Sequence, residues 1–331
     1  MIIKPMLPIA IFTISYIYGL DLRYGHGSMD VKSNIKNFMN SDVSLDVDVV
    51  SLHEEHHNIA NSDYYLFTNI DIYNSKALNQ YTDFVDKFMN IPILPLPSVP
   101  PLPSIPTNPF PVPLPPSIIQ PSTVITTLPT IPDTPNDMLG KFVPVPSSYE
   151  MNGFDMDIGI GYDVVKGDDY YLGTGISTGI SMPFIKMENY LKSAEYLNKL
   201  LKTTHTDITT YKLGVSLQGG YSFKYFNLYA NGIYAYQRGK ISNSIMYGSM
   251  DANGVYSSIE AGVTFHPLKL IDAYKDTPWS NIYMSIGYTH KEWLLDEVNG
   301  QIFGIPAPKE ATSFESSFKT DYTYLGVGYK F

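Results

Sequence analysis

The sequence contains no cysteine and has few charged residues for its length. None of its 331 residues is a cysteine, which excludes disulfides, thiolate zinc sites, iron–sulfur clusters and cysteine nucleophiles. Charged residues make up 16% of the chain, against about 25% in an average protein. Its 22 basic residues are outnumbered by 32 acidic ones, which argues against a nucleic-acid partner because such partners require a basic face. Since a soluble globular protein covers its surface with charge, this deficit raises the question of which solvent the surface faces.

The first 19 residues have the pattern of a secretory signal peptide. Lys4 supplies a short basic start, residues 6–18 are almost entirely apolar, and Gly19 stands where cleavage would occur. Because Pro5 and Pro8 interrupt this pattern, an uncleaved anchor or a buried strand is the alternative. No later run of 18 apolar residues predicts a transmembrane helix. An exported chain without such a helix is either soluble or a β-barrel.

The chain after residue 150 repeatedly alternates apolar residues with small or polar ones, the period of half-buried strands. Six such segments precede the C-terminal strand, near residues 154–164, 172–182, 211–223, 226–238, 259–265 and 282–288. Several reach about ten residues, which lets a tilted strand cross a bilayer, whereas soluble strands average about 5–6 residues. One face carries Gly, Ser, Asp, Lys and Glu, as a barrel lumen does. The pattern predicts an all-β fold, a transmembrane antiparallel up-and-down β-barrel.

The C-terminal residues resemble the assembly signal of Gram-negative outer-membrane β-barrel proteins, in which a polar residue, a glycine and two alternate hydrophobic residues end in phenylalanine. Here those places are taken by Tyr324, Gly326, Tyr329 and Phe331. The resemblance covers residues 150–331 well and 20–90 loosely. It implies an outer-membrane location, contact with outer-membrane lipid, and recognition by the barrel-assembly machinery and periplasmic chaperones. The layout is similar to small porin-like or OmpA-like barrels and to uncharacterised barrels of Helicobacter- and Campylobacter-type bacteria.

The number of strands follows from the topology of that class, in which both termini and the short turns are periplasmic. The periplasmic turns would be 166–169, 224–225 and 266–278. The extracellular connections would be 183–206, 239–253 and 291–311. This layout uses seven strands after residue 150, so an even total requires one or three before it. The candidates are 20–31, 43–50 and 63–73. One gives eight strands and three give ten, which we favour because all three alternate.

Prolines are concentrated between Pro92 and Pro146, which hold 18 of the 25 in the chain. Proline lacks an N–H, so we expect no helix or central strand there but a polyproline-like spacer or loop. Packing along the barrel and docking of a partner are the alternatives. The predicted organisation is a signal peptide (1–19), N-terminal barrel strands with an acidic loop (20–90), a Pro-rich insertion (91–149) and the main part of the barrel (150–331). Helical spacing also predicts one or two short amphipathic helices, at 77–88 and 183–201.

Five charged residues fall on the polar face of the predicted strands: Asp155, Asp157, Lys212, Glu260 and Lys330. A lysine facing lipid near the midplane would cost about 2–4 kcal/mol, so we expect these residues to face the lumen. There they would either pair across strands as a packed core or line a narrow pore. Barrels of eight to ten strands are usually filled by side chains.

The densest cluster of potential metal ligands is the run His-Glu-Glu-His-His at residues 53–57. Imidazoles and carboxylates suit zinc, copper or nickel, and the ligands would be His53, His56 and His57. The stretch is predicted to be a solvated polar loop, and we expect no metal and no other cofactor.

The other histidines show no adjacent serine and acid that would indicate a catalytic triad. They are His26, His205, His266 and His290. The pairs His205 with Asp207 and His290 with Glu292 are expected near the outer rim, as polar side chains that face water. No catalytic residue is assigned, and the chain is expected not to be an enzyme.

The sequence therefore predicts a small outer-membrane β-barrel with a non-enzymatic role in the envelope, structural or surface-binding through its loops. A narrow porin-like channel for small solutes is a second hypothesis and requires an open lumen. An outer-membrane hydrolase is the third, and it requires His205 or His290 within hydrogen-bond reach of a serine and a carboxylate.

Overall fold

The structure is a computed structural model that describes most of the chain in nine ranges. These are residues 19–35, 39–85, 142–189, 203–244, 249–274, 276–299, 301–302, 305–306 and 314–330. Within them lie three short 3₁₀ helices, Ile59–Asn61, Pro267–Leu270 and Pro278–Asn281. No helix among the described residues is long and apolar enough to cross a membrane.

The described residues also form thirteen strands, and ten strand positions close into a ring. The strands are β1 Gly19–Ile35, β2 Met39–His57, β3 Tyr64–Val85, β4 Phe142–Lys166, β5 Tyr170–Ser181, β6 Phe184–Asn189, β7 Thr203–Ser222, β8 Phe226–Asn243, β9 Ser249–Phe265, β10 Ile282–Asn299, β11 Gln301–Ile302, β12 Ile305–Pro306 and β13 Phe314–Lys330. Neighbours are antiparallel, and β13 pairs back with β1. Strands β5 and β6 share one position because both pair with β4 and β7. The predicted barrel is confirmed with ten strands, including all three N-terminal candidates.

Met182 and Pro183 separate β5 from β6 without opening the wall. Met182 and Phe154 exchange two backbone hydrogen bonds, with N···O distances of 2.7 and 3.4 Å. Pro183 has no N–H to donate, but its carbonyl accepts one from Ile208 at 3.0 Å. The wall therefore stays continuous across a residue that normally interrupts a sheet.

The short connections gather at one end of the barrel, here called the lower end, where Gly19 and Lys330 also pair. The turns from Lys166 to Tyr170 and from Ser222 to Phe226 are tight, as expected from the sequence. Exposed aromatic side chains surround this end: Tyr170, Tyr221, Phe223, Phe226, Phe265 and Trp279. Such a girdle is typical of the interface between a bilayer and water.

The polarity of the wall reverses between its lower and upper parts. In the lower part the outward side chains are apolar and exposed, as with Leu22 at 54% and Leu213 at 64%. In the upper part of β2 the apolar side chains point inward and are at most 1% exposed: Val43, Leu45, Val47 and Val49. Their outward neighbours are Asp42, Ser44, Asp46 and Asp48. The rule that the apolar face meets lipid therefore fails for this part of β2, because the upper barrel stands in water around an apolar core.

The two helix predictions are wrong where the structure describes the chain. Residues 77–85 belong to β3 and 184–189 form β6, while 86–88 and 190–201 lie outside the described residues. Strand β3 pairs with β2 on one side and β4 on the other. Hydrogen bonding on both edges therefore outweighs the local helical spacing.

Strand β4 begins at Phe142, so residues 142–149 are part of the wall although they were expected in the insertion. Its Pro144 and Pro146 pair with β3, and pairing with β6 begins only at Ser147. Proline is tolerated where its missing N–H is not required by a second neighbour. Residues 86–141, which include the prolines from Pro92 to Pro135, lie outside the described residues.

The reversed polarity of β2 can be tested with two neighbouring residues. Leu45→Ala should lower the free energy of unfolding by about 2–5 kcal/mol because Leu45 lies in the upper core. Ser44→Ala, on the water-facing side, should change it by less than about 0.5 kcal/mol. Urea unfolding followed by heat-modifiable gel migration measures both. Equal stability of the two variants would contradict the inward orientation of Leu45.

Candidate functional site

A fully buried charge cluster crosses the middle of the lumen. The Lys212 Nζ atom lies 2.6 Å from Asp155 Oδ1 and 2.7 Å from Asp157 Oδ1. Lys291 Nζ lies 2.8 Å from Asp155 Oδ2 and also binds Asp71. Each of these five side chains is at most 2% exposed. Strands β3, β4, β7 and β10 are thus joined across the barrel interior.

Tyrosine hydroxyls supply further hydrogen bonds to this cluster. Tyr256 donates to Asp157 at 2.9 Å and to Asp155 at 3.2 Å. Tyr73 and Tyr322 donate to Asp71 at 3.1 and 3.2 Å. Two ammonium groups alone do not neutralise three carboxylates, so these neutral donors stabilise the excess negative charge.

A second ion cluster lies nearer the lower end around Arg23. Its guanidinium is 2.8 Å from Asp21 and 2.7 Å from Glu260. Tyr324 donates to Glu260 at 3.0 Å, and its ring centre lies 4.6 Å from the guanidinium carbon. The hydroxyls of Tyr324 and Tyr229 also share a hydrogen bond. Hydrogen bonds and cation–π contact hold the charge of Arg23 in place.

Above the charge clusters, buried apolar side chains fill the upper barrel. Among the largest are Tyr256, Trp293, Phe318 and Leu295, none more than 7% exposed. Ion pairs in the middle and apolar packing above leave the lumen filled with side chains over the part of the chain that the structure describes. This arrangement matches the packed interior expected of small barrels.

A cavity of 460 Å³ opens at the lower mouth, and the His-Glu-Glu-His-His run contributes to it. This run ends β2 instead of forming the predicted loop. His57 Nε2 lies 2.6 Å from Glu55, and its Nδ1 lies 2.9 Å from Asp163. Because strand residues alternate in direction, His53 and His57 point inward and His56 points outward. The three predicted ligands do not converge, and no group of three potential ligands among the described residues could hold a metal.

Two groups at the lower mouth lie outside the strands and have shifted pKa values. Burial, with Lys269 and Lys330 nearby, lowers the pKa of His266 to about 4. Burial and Lys330 also lower the pKa of Lys269. A histidine that must stay neutral in the folded protein makes folding less favourable as pH falls.

The remaining predicted residues are divided between the lumen and the ends of the barrel. Asp155, Asp157, Lys212 and Glu260 lie in the lumen, and Lys330 lines the lower cavity. Of the four residues in the expected assembly signal, Tyr324 and Gly326 face the lumen and Tyr329 lies on the other face of β13. Phe331 is outside the described residues. Recognition of these four residues by the assembly machinery stays a prediction.

The outer wall carries two polar clusters that sequence reasoning missed. His26 Nδ1 lies 3.0 Å from Asp48 Oδ1, and Tyr24 donates to the same oxygen at 2.7 Å. The second cluster has the same build: His290 Nδ1 lies 2.7 Å from Asp321 Oδ1, to which Tyr288 also donates. The repeated pattern Tyr-x-His was a usable signal, but each aspartate lies on a neighbouring strand, 22 or 31 residues away. These contacts differ from the predicted pairs. His290 contacts Asp321 where Glu292 was expected, and the ring of His205 stacks on Phe184.

Comparison with solved structures places this ring among bacterial outer-membrane proteins. The outer-membrane protease OmpT from Escherichia coli matches over 95% of this chain and 97% of its own, with 8% sequence identity and a TM-score of 0.51. The translocator domain of the autotransporter NalP from Neisseria meningitidis matches over 99% of this chain and 95% of its own, with 9% identity and a TM-score of 0.36. No family model and no curated protein matches the sequence. At such identity the likeness to OmpT concerns the fold alone.

The closed ring and its apolar outer band define the fold class, which OmpT shares: the chain has the fold of an outer-membrane β-barrel of the Gram-negative type. In this class the short turns face the periplasm. We therefore expect the lower end to face the periplasm and the upper barrel to stand on the extracellular side. The finer resemblance to barrels of Helicobacter-type bacteria stays a prediction.

The central charge cluster can be tested by removing one of its cations. Lys291→Met should lower the free energy of unfolding by about 3–5 kcal/mol because it removes the cation bound to Asp71 and one of the two bound to Asp155. Lys32 pairs with Asp42 on the outer wall, where both side chains are more than 60% exposed. Lys32→Met should therefore cost no more than about 1 kcal/mol. Urea unfolding of both variants measures the difference, and a loss as small for Lys291→Met as for Lys32→Met would refute the role of the cluster.

The shifted His266 predicts a loss of stability in acid. Its folded pKa of about 4 lies below the usual value near 6.5. The neutral side chain is therefore accommodated above pH 6.5, and stability falls as the pH drops from about 6.5 to 4. After allowance for solvent screening the loss should be roughly 1–3 kcal/mol. His266→Gln should remove this part of the pH dependence, and an unchanged unfolding profile in that variant would argue against the assignment.

Proposed function

We propose that this protein is a sealed envelope barrel with a structural and surface-binding role, acting through its outer wall and extracellular side. The observation that carries the proposal is the filled lumen. Lys212 and Lys291 lie at 0–1% side-chain exposure between three aspartates, and a buried apolar cluster follows above them. In this proposal the lumen is neither a solute pathway nor a catalytic chamber.

The filled lumen favours this role over the narrow channel. A solute would have to displace the Asp155 carboxylate from both lysines, which are its nearest cations. Breaking a buried ion pair costs about 3–5 kcal/mol, and this cluster contains four such pairs. Passage would also disturb the packed side chains above. A permanently open pore is therefore disfavoured.

The upper barrel supports a binding role on the extracellular side. Its outer face is polar and charged, as on β2 with Asp42, Asp46 and Asp48, so it is built for water and not for lipid. Its apolar core holds this wall rigid above the bilayer. Rigid strands that present polar side chains make a better binding surface than loops alone.

Planar-bilayer recording of the refolded full-length protein tests the proposal. The expected result is silence after insertion, with heat-modifiable gel migration of the same sample showing that the barrel is folded. A known porin added afterwards to the same bilayer provides the positive control. Steady single-channel steps from the folded protein would overturn the sealed lumen and restore the channel hypothesis.

A further inference from the structure

The upper limit of the apolar band carries an unusual polar arrangement on β1 and β2. The outward side chains just below this limit are apolar or tyrosine, ending with Tyr24 at 57% and Val50 at 46% exposure. The first polar residues above them are His26 on β1 and Asp48 on β2, which face each other in the strand register. A tyrosine belt marks the level at which lipid headgroups begin. His26 and Asp48 therefore lie where the ester bonds of membrane lipids meet water.

The orientation of His26 is that of a general base. Asp48 engages its Nδ1 atom at 3.0 Å, which leaves Nε2 as the nitrogen able to act on a substrate group. An aspartate on Nδ1 fixes the tautomer and stabilises the imidazolium that forms during catalysis. Tyr24 donates to the same carboxylate at 2.7 Å and holds it in place. The pair therefore has the geometry that activates a nucleophile.

Ser28 supplies a nucleophile beside this pair. It is two residues beyond His26 on β1 and exposed on the same outer face, because alternate residues of a strand share a face. The Cα atoms of two such residues lie about 6.5–7 Å apart. Catalytic hydrogen bonds are often long before a substrate binds. Across the pairing with β13, Ser28 stands opposite Asp321 and His26 opposite Thr323. Ser28, His26 and Asp48 thus combine nucleophile, base and orienting acid on a single surface.

The lipid-facing wall beside Thr323 has a shallow, open apolar groove. Its outward lining includes Leu228, Ala261, Val263 and Ile286, and it extends to Thr323. Since Thr323 is the register partner of His26, an acyl chain lying in this groove would bring its ester end towards His26 and Ser28.

We propose that the outer wall hydrolyses acyl esters of outer-leaflet lipids, with Ser28 as nucleophile, His26 as general base and Asp48 as positioning residue. The inference rests on the proposed function in one respect, that the protein acts through its outer wall, and it names the substrate class of that wall. The lumen has no part in it.

The reaction requires only the lipid ester and water. The Ser28 Oγ atom attacks the ester carbonyl carbon while His26 Nε2 takes the hydroxyl proton. The bond from this carbon to the lipid alcohol breaks, and the alcohol leaves with the proton from His26. Water then attacks the acyl-serine ester and gives a proton to His26, which returns a proton to Ser28 as the fatty acid departs.

The test is release of free fatty acid by the refolded full-length protein, measured by mass spectrometry. One set of vesicles contains lipopolysaccharide and the other contains ester-linked phosphatidylethanolamine, so the two arms distinguish the source of the acyl ester. Vesicles of an ether-linked phospholipid, which has no ester to cleave, give the background. The expected result is release above background from at least one ester-linked arm. No release by the folded protein from either arm would overturn the inference.

Two variants and a matched control assign the nucleophile and the base. Ser28→Ala and His26→Asn should each lower the rate by about 10³-fold or more. The control is His290→Asn, because His290 is also paired with an aspartate that accepts from a tyrosine, Asp321 with Tyr288, but is followed two residues later by Glu292 in place of serine. This variant should stay within about twofold of the parent. Equal rates for Ser28→Ala and the parent would refute the role of Ser28.

Asp48 requires a readout that a purely structural role would not change. Asp48→Asn should lower the rate strongly because it no longer fixes the His26 tautomer, whereas Asp48→Glu, which keeps the carboxylate, should recover much of it. Heat-modifiable migration of both variants checks that they fold. Equal loss in both folded variants would contradict the positioning role. No conductance together with no fatty-acid release would overturn the hydrolase and support the sealed lumen. Conductance together with fatty-acid release would overturn the sealed lumen and support the hydrolase.

Discussion

Closure of the ring between β1 and β13 is the constraint on which the rest of the structure depends. Hydrocarbon offers no water to satisfy backbone N–H and C=O groups, so a sheet that crosses a bilayer cannot have a free edge. All 17 residues of β1 pair with β13, from Gly19 to Ile35. The same requirement explains the junction at Pro183. Met182 is hydrogen-bonded to Phe154 of β4, and the Pro183 carbonyl accepts a hydrogen bond from Ile208 of β7, so the wall is bonded on both sides.

Closure with only ten strands leaves a narrow interior that side chains must fill. In the lower half the outward positions belong to lipid, and the inward ones carry the polar residues. Buried charge is tolerable only when paired, and Asp155 on β4 achieves this by binding Lys212 on β7 and Lys291 on β10. Strands β4 and β10 lie on opposite sides of the ring. The cluster therefore braces the barrel across its diameter as well as filling it.

The strand period made much of this fold predictable from the sequence, including the ten strands and the inward charges Asp155, Asp157, Lys212 and Glu260. The side that an apolar residue faces was not predictable from the period alone. Val43 and Leu213 both alternate with polar neighbours, yet Val43 faces the core and Leu213 faces lipid. The difference is their height relative to the bilayer, which only the assembled register reveals. The charged run at residues 53–57 was predicted as a loop for a related reason, since polar residues are also allowed where a strand reaches the lumen mouth.

The His–Asp pairs on the outer wall could not be predicted from the sequence at all. His26 and Asp48 are unremarkable in the sequence, because their contact depends on the pairing of β1 with β2. Once the register is known, the sealed lumen changes what such a pair means. A barrel sealed as proposed would act where its surface meets other molecules. Its outer wall faces lipid in the lower part and water in the upper part.

A lipid ester is the substrate that lies between those two solvents. Its acyl chain needs an apolar surface and its hydrolysis needs water, and only the boundary of the wall offers both. His26, Ser28 and Asp48 stand at that boundary, above Tyr24 and Val50, whereas His290 at the equivalent limit has no serine two residues on. Of the two polar clusters on this wall, only the one on β1 and β2 joins a fixed base to a nucleophile.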